Sequence, residues 1–439
     1  MDVSHHTAPA KMKITVFAAG SRGDIQPCVA LSRGLQQAGY AVRLAAPEDF
    51  AGFVQKHDVD FYPLRGDVQQ IMAGDTGREF METGGANPIK SIFAVRKMIA
   101  PVVMDMAQDA YDACRDAQAL ICLGVFSAFG QSIAEGLGIP IVNVEPTPLL
   151  PARAFPAASW PIQRSLGGWH NYLSGVAMLQ VLWQWYRPFV NGFRQQLGLP
   201  PYSAARFYRA LKATPMLGAY SPHVIPHPPD WPGSVHVTGY FFLDSQADWQ
   251  PPPELEEFLQ AGDPPVYVGF GSMAGRNPQR LAEVVLQALA TSGRRGVLLT
   301  GWGGLRAGSV PPNVFVLDSA PHRWLFPRMA AVVHHGGAGT TAEGLRAGVP
   351  AIAVPFVLDQ PFWGARLKAL GLGPDPIPQK KLTAGRLARA ISTAVTDAAM
   401  KQRAAACGAA IRAEDGVGNA VEIIQRYLGQ PGREEETEK

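Results

Sequence analysis

A chain of 439 residues, with 47% hydrophobic and 17% charged side chains, 46 Gly and 38 Pro, has the composition of a turn-rich globular protein and excludes a disordered, collagenous or coiled-coil one. Its formal charge of +3, from 39 Lys and Arg against 36 Asp and Glu, is too near neutral to advertise a nucleic-acid surface and directs expectation to a small-molecule partner. The length allows two large α/β domains, each with a sizeable core.

Residues 1–12 form a polar leader without the apolar stretch of a signal peptide, and no run of about 18 apolar residues follows, so a soluble, cytoplasmic protein is expected. The cysteines at 28, 114, 122 and 407 include no Cys-x-x-Cys pair, which argues against structural zinc or a disulfide framework. From residue 13 short apolar strands alternate with amphipathic helices. KITVFAAG reads as a strand and IQPCVALSRGLQQAGY as a helix with Cys28, Leu31 and Leu35 on one face and Gly39 past its end. AVRLAAP, a helix at 48–57, VDFYPL, ALICLG, a helix at 127–137 and IVNVE continue the alternation that βαβ units require. This half, 13–246, is expected to be a parallel sheet covered on both faces.

Between 160 and 208 stand eleven aromatics, among them Trp160, Trp169, Trp183 and Trp185, a density that fits helix packing or an apolar pocket or lip. The segment 247–265 carries Pro251, Pro252, Pro253, Pro264 and Pro265 and reads as a linker. Alternation restarts with PVYVGFGSM, a helix at 277–292, GVLLTG, VFVLDSA, a short helix near 322–329, AAVVHH, a helix from 340 and AIAVPF, giving a second doubly wound domain over 266–428. Residues 384–428 read as mostly helical, and the tail of 429–439 ends in a charge run, 433–439, that reads as solvated.

The chemistry gathers in HHGGAGTTAEGLRAGVP, residues 334–350, which follows a strand and opens a helix. Gly336, Gly337 and Gly339 let the backbone turn tightly, and the N–H groups of Gly339, Thr340 and Thr341 at the helix start suit a phosphate. His335 adds a donor beside it, and Glu343, one turn in, can accept from ribose hydroxyls. Asp359 and Gln360, after the strand AIAVPF, form a carboxylate and amide pair suited to sugar hydroxyls at the mouth of the sheet. GFGSM at 269–273 offers a Gly271–Ser272 turn near a second phosphate, and SAPH at 319–322 follows another strand.

Together with GSRGDIQP at 20–27, PHRWLFP at 321–327 and DQPFWGARL at 359–367, these residues resemble the nucleotide-sugar-dependent glycosyltransferases of the GT-B fold. Within them, the chain is similar to the branch of sterol glucosyltransferases and bacterial natural-product glycosyltransferases. The resemblance implies two Rossmann-like domains facing across a cleft, with the 247–265 linker as a hinge and the last helix crossing back to the first domain. It implies that His335 contacts the donor diphosphate, with Gly337, Gly339 and Thr340 as phosphate donors, Glu343 at the ribose, and Asp359 and Gln360 on the sugar. Ala320 and His322 match the loop that meets the base, and Gly271 and Ser272 the turn near the phosphates; Ser319 stands where plant-type members place a stacking Trp. Asp24 matches the aspartate that bacterial relatives use as base, while its position also suits a cap on a helix beginning near Gln26 and Pro27. Ser21, Arg22, Phe155, Trp160 and Trp183 are expected on the acceptor side.

The activity so implied is inverting, metal-independent transfer of a hexose, glucose from UDP-glucose foremost, to a hydroxyl of a hydrophobic acceptor such as a sterol or macrolide. The nucleotide sugar is a substrate, so no cofactor is expected; a peripheral membrane contact is compatible with the aromatic stretch. The alternative is a non-catalytic protein that binds a nucleotide sugar or lipid as the partner of a transferase. A dinucleotide-dependent oxidoreductase is disfavoured, because no Gly-x-Gly-x-x-Gly follows the first strand.

Overall fold

The computed structural model describes residues 11–66, 74, 100–243, 249–271, 278–300 and 310–429. Strands β1 (Lys13–Phe17), β2 (Ala41–Pro47), β3 (Asp60–Leu64), β4 (Ala119–Leu123), β5 (Ile141–Glu145), β6 (Met216–Gly218) and β7 (Val235–Val237) form one sheet in the order β3-β2-β1-β4-β5-β6-β7. Strands β8 (Val266–Gly269), β9 (Gly296–Leu299), β10 (Val314–Leu317), β11 (Ala331–His334) and β12 (Ala351–Ala353) form a second, in the order β10-β9-β8-β11-β12. Every pairing is parallel, so each connection must cross over, and helices cover both faces. All five residues of β4 are buried, as a central strand requires, whereas Pro63 lies in the edge strand β3, where a missing donor is tolerated.

Strand order reverses between β1 and β4 in the first sheet and between β8 and β11 in the second. At such a point neighbouring loops leave toward opposite faces and open a crevice at the carboxyl ends of the strands. The loops after β1, β8 and β11 are therefore the ones placed to hold a ligand; the last two carry Gly271 and His335, and the first leads into the helix turn that carries Asp24.

Two local outcomes differ from the sequence expectations, and a third takes the helix-packing alternative for most of the aromatic stretch. The first helix starts at Arg22, not near Gln26, because Ser21 caps it and Asp24 completes a capping box; Pro27 lies inside the helix. Part of the expected linker is a helix, Pro253–Gln260, whose first turn takes Pro253 and whose Leu255 is buried with Tyr267, Val297 and Leu317 of the second domain. The aromatic stretch becomes a 29-residue helix, Gly168–Gln196, followed by Ala204–Ala213, with Trp183, Trp185, Tyr186, Phe193 and Phe207 in the first domain's core.

The last helix, Gly416–Leu428, belongs to the first domain's packing although it follows the second sheet. Its Ala420, Val421, Ile423 and Ile424 share a core with Ile14, Val16, Ile25 and Leu31. Asp415 caps it by accepting from the Gly418 N–H at 2.8 Å, and Gly34 is small because a Cβ there would overlap Val417. Further bonds join the two halves: Arg366 Nε donates to the Val224 carbonyl at 2.6 Å, and the Ser221 hydroxyl donates to Glu414.

Candidate active site

Asp24 is the third residue of its helix, and its Oδ2 accepts from the Ser21 N–H at 2.8 Å and from the Ser21 hydroxyl at 3.1 Å. Gly20 precedes it at φ +142, and a Cβ at that position would overlap the Asp24 carboxylate. The turn is thus shaped around the carboxylate. Burial raises the Asp24 pKa from its usual 3.8 to about 6, the two Ser21 bonds opposing the rise and the charge of Asp359 adding to it. Capping and proton acceptance do not compete, since one oxygen serves both Ser21 donors.

Across the crevice, helix Ala338–Ala347 begins after Gly337, its N-cap. Its first N–H groups, of Ala338, Gly339 and Thr340, have no intrahelical acceptor by helix geometry and point at the crevice with the positive end of the dipole. Thr341 is not among them: its N–H donates to the Gly337 carbonyl at 2.9 Å and its hydroxyl to the same oxygen at 2.8 Å. The start of this helix confronts the start of Arg22–Gln37, because a Cβ on Gly339 would lie 4.0 Å from the Gly23 Cα. Two helix N-termini, one from each domain, therefore face one small volume.

His335 is half-buried beside that volume, and its Nδ1 is buried without a hydrogen-bond partner. Burial lowers its pKa to about 4, so it is neutral at pH 7 and presents one N–H donor and one acceptor. A Cβ on Gly337 would overlap His335 Nε2, and one on Gly271 would lie 3.8 Å from His335 Cε1; both glycines border the ring. The neighbouring His334 fixes the turn, its Nδ1 accepting from the Gly336 N–H at 3.0 Å, and Gly336 sits at φ +89. Ser272, expected beside Gly271, lies outside the described residues.

Asp359 stands just past Leu358, whose φ of +56 is costly for a branched side chain and marks a strained approach to the site. Its Oδ2 accepts from the Trp363 indole at 2.9 Å and, across the domains, from the Thr147 hydroxyl at 2.9 Å. Burial raises the Asp359 pKa, with both of these bonds opposing the rise. Gln360 is buried, and its Oε1 accepts from the Phe356 and Val357 N–H groups at 2.8 and 3.2 Å, which commits the oxygen to its own loop and leaves the amide N–H groups as its donors toward a ligand. Glu343 is half-buried one turn into its helix. His322 stacks on Phe326 at 4.3 Å, lies 3.4 Å from the Tyr267 hydroxyl, and has its pKa lowered to about 4 by burial and then by Arg22 and His335; Ala320 is half-buried in the loop before it.

Residues 14–156 match the glycosyltransferase family 28 N-terminal domain, and residues 302–425 match the erythromycin biosynthesis protein CIII-like C-terminal domain. A sterol 3-beta-glucosyltransferase of Arabidopsis thaliana is 37% identical over 427 residues, which cover 95% of this chain and 68% of that protein. The O-mycaminosyltylonolide 6-deoxyallosyltransferase of Streptomyces fradiae is 38% identical over 421 residues, covering 95% of this chain and 97% of the relative. The chain belongs to this glycosyltransferase family. The crystal structure of the glycotransferase of kitacinnamycin superimposes with a TM-score of 0.73 at 21% identity, over 96% of this chain and 100% of that one, and shares the two-domain GT-B architecture.

Within the glycosyltransferase, the expected acceptor-side residues separate. Ser21 is exposed at the mouth of the first helix, and the exposed Arg22 places its guanidinium 4.7 Å over the Phe53 ring. Phe155 is buried edge-on against Trp231 at 6.0 Å and against Phe362 of the second domain at 5.6 Å, so it lies where the domains meet. Trp160 is half-buried 6.4 Å from His170. Trp183 does not reach the crevice: it is 3% exposed and stacks on Phe207 at 4.9 Å and 16°, an ordinary core pair. Sequence reasoning missed Thr147, His334, Tyr267 and Trp363. Only Trp363 had a readable signal, at four residues after Asp359 on one helix face.

Proposed function

We propose that this glycosyltransferase moves glucose from UDP-glucose, with inversion, to a hydroxyl of a hydrophobic acceptor such as a sterol or macrolide. The observation that carries the reading is the confrontation of two helix N-termini, one bearing Asp24 with its pKa raised to about 6, the other bearing the Gly337 turn and His335. An acceptor hydroxyl is too weak an acid to attack unaided, so the Asp24 carboxylate takes its proton as the oxygen bonds to the anomeric carbon. The bond from that carbon to the nucleoside diphosphate breaks on the opposite side, which inverts the centre. The leaving diphosphate gains charge, and the N–H groups of Ala338, Gly339 and Thr340, with neutral His335, stabilise it more than they stabilise the bound donor. Asp359 and Gln360 hold the sugar hydroxyls, Glu343 the ribose, and the loop of Ala320 and His322 the base. No step in this scheme needs a metal or cofactor. We place the reaction in the cytoplasm, with a peripheral contact to lipid where a hydrophobic acceptor resides.

A deoxyhexose donor is the second reading, favoured by the 38% identity to the deoxyallosyltransferase of Streptomyces fradiae along 97% of its length. The test is purified protein with UDP-glucose, UDP-galactose or dTDP-glucose and a panel of sterols, macrolides and flavonoids, read by mass spectrometry. Gain of one hexose on a sterol or macrolide from UDP-glucose supports the proposal. Gain from dTDP-glucose alone replaces the donor, and tight donor binding with neither transfer nor nucleotide release returns the chain to a non-catalytic partner.

A further inference from the structure

Seven large hydrophobic residues are exposed among the described residues, and five of them fall between 162 and 176: Ile162 at 48%, Leu166 at 55%, Trp169 at 66%, Leu173 at 58% and Val176 at 37%. Trp169, Leu173 and Val176 lie at i, i+4 and i+7 of helix Gly168–Gln196, so they form one stripe about 10 Å long, continued by Ile162 and Leu166 of the preceding loop. The helix is inside out here. Its protein-facing side is polar, with Asn171 1% and Ser174 2% exposed.

That inversion is built in rather than loose. Asn171 Nδ2 donates to the Arg153 carbonyl at 2.9 Å and to the Ser165 hydroxyl at 3.0 Å, and Ser174 accepts from the Ala157 N–H at 2.9 Å. Gln163 donates to the carbonyls of Ala157, Ala158 and Trp160. Gly175 is closed against Pro151, where a Cβ would stand 2.6 Å from the Pro151 Cα. Polar side chains thus spend their bonds holding the loop down while the apolar ones are pushed outward, the reverse of what water alone as a surrounding favours.

The segment that carries the stripe is basic. From residue 146 to residue 229 the sequence has no Asp or Glu, while it carries six Arg and one Lys, of which Arg194 and Arg206 pair with Glu135 and the exposed Arg153, Arg164 and Arg187 do not belong to that pairing. Arg153 holds its guanidinium 4.4 Å over the Trp169 ring, and Arg164 and Arg187 are exposed on the same segment. The first carboxylate past that span, Asp230, accepts from the Arg153 backbone N–H at 2.8 Å. The same loop runs on to Phe155, which packs on Phe362 of the second domain, three residues from Asp359.

We propose that Ile162, Leu166, Trp169, Leu173 and Val176 insert into the interface of an anionic phospholipid membrane, with Arg153, Arg164 and Arg187 on its headgroups. An apolar stripe rimmed by cations without carboxylates has the chemistry of an interfacial helix, and it commits to a lipid surface over a protein partner because no acidic complement within the segment neutralises it. Docked this way, the enzyme opens the Phe155 end of its cleft next to the bilayer, where a hydrophobic acceptor dissolves. The proposal rests on the hydrophobic-acceptor reading only for its purpose, not for its evidence.

The experiment is flotation of the full chain, without donor or acceptor, on vesicles of phosphatidylcholine with and without phosphatidylglycerol. Binding to the anionic vesicles, weakened by salt, is expected, with at least about a tenfold loss of partitioning in Trp169→Ser/Leu173→Ser and a smaller loss in Arg153→Gln/Arg164→Gln. Both double variants change exposed side chains, so circular dichroism and turnover on a water-soluble acceptor stay at the wild-type level. Equal flotation of wild type and Trp169→Ser/Leu173→Ser, or none by the wild type, overturns the proposal while leaving the transferase reading intact. A wild-type dimer that the same variant converts to monomer overturns it in favour of a second copy of this chain on the stripe.

Discussion

The pKa of Asp24 gives the sharpest test of its role. An aspartate at its usual 3.8 is more than about nine tenths ionised at pH 5, so a base of that kind loses almost nothing between pH 7 and pH 5. With the value raised to about 6 by burial, Asp24 is about nine tenths ionised at pH 7 and about one tenth at pH 5. The carboxylate must be ionised to take a proton, so kcat/KM for transfer falls about tenfold from pH 7 to pH 5 and about a further tenfold per unit below. The perturbation that assigns this limb is Asp24→Asn, which keeps an acceptor for the Ser21 bonds but cannot take the proton. It lowers turnover about 10²-fold or more, while affinity for UDP by calorimetry stays near that of the wild type. The assay is nucleotide release against pH in overlapping buffers, with folding followed by circular dichroism at each point. A profile flat down to pH 5, or an acid limb that survives with undiminished rate in Asp24→Asn, refutes Asp24 as the base and leaves it a helix cap.

Gly20→Ala combines a left-handed φ with an overlap on the Asp24 carboxylate, so it is expected to cost about 1–3 kcal/mol in thermal or urea unfolding and to lower kcat far more than donor affinity; a variant with wild-type kcat would show that the turn does not position Asp24. His335→Ala removes a neutral ring from the start of helix Ala338–Ala347 and is expected to weaken both nucleotide binding and turnover by about tenfold or more, checked by calorimetry and steady-state kinetics, with unchanged values of both removing His335 from the site. Glu145 is buried at the end of β5, and burial raises its pKa from 4.5 to about 8, so the folded form holds a proton that the unfolded form has already lost at neutral pH. Stability is therefore full below about pH 4.5 and falls by about 1.4 kcal/mol per unit as pH rises toward 8, and Glu145→Gln is expected to abolish that slope in melting curves from pH 5 to 9; a slope unchanged by the substitution would contradict the assignment.

The parts of this architecture written in the sequence are those governed by short periods. β4, β5 and the helix Ser127–Leu137 stand where ALICLG, IVNVE and the intervening pattern put them, because each is fixed by a run of apolar residues bounded by turn formers. Cys28, Leu31 and Leu35 are buried on one helix face, as their spacing implies. The start of that helix was harder to read, since Pro27 suggests a first turn while the Ser21 and Asp24 capping box decides the matter five residues earlier. β6 and β7, at three residues each, carry too little pattern to stand out and form because β5 offers an edge for them to extend. In the site, the glycine turn and His335 were legible as a strand running into a helix, but the state of each group was not. Thr341 gives its N–H to the Gly337 carbonyl as part of the helix, and the bond from Thr147 to Asp359 joins residues 212 positions apart, which no local pattern encodes. The aromatic stretch divides for a physical reason as well: Trp183 fills the core against Phe207, while Trp169 is turned out because Asn171 and Ser174 hold the other face.

The central claim is a single displacement in the crevice, with Asp24 on one side of the sugar and the diphosphate on the helix start at Gly337 on the other. It is tested most directly by the stereochemistry of the product, read as the anomeric coupling constant of a glycoside formed from α-linked UDP-glucose and an accepted sterol or macrolide. The account predicts the β-glycoside, formed about 10²-fold or more slowly by Asp24→Asn. An α-glycoside would contradict it, because retention needs two displacements or a front-side attack and neither uses Asp24 as described.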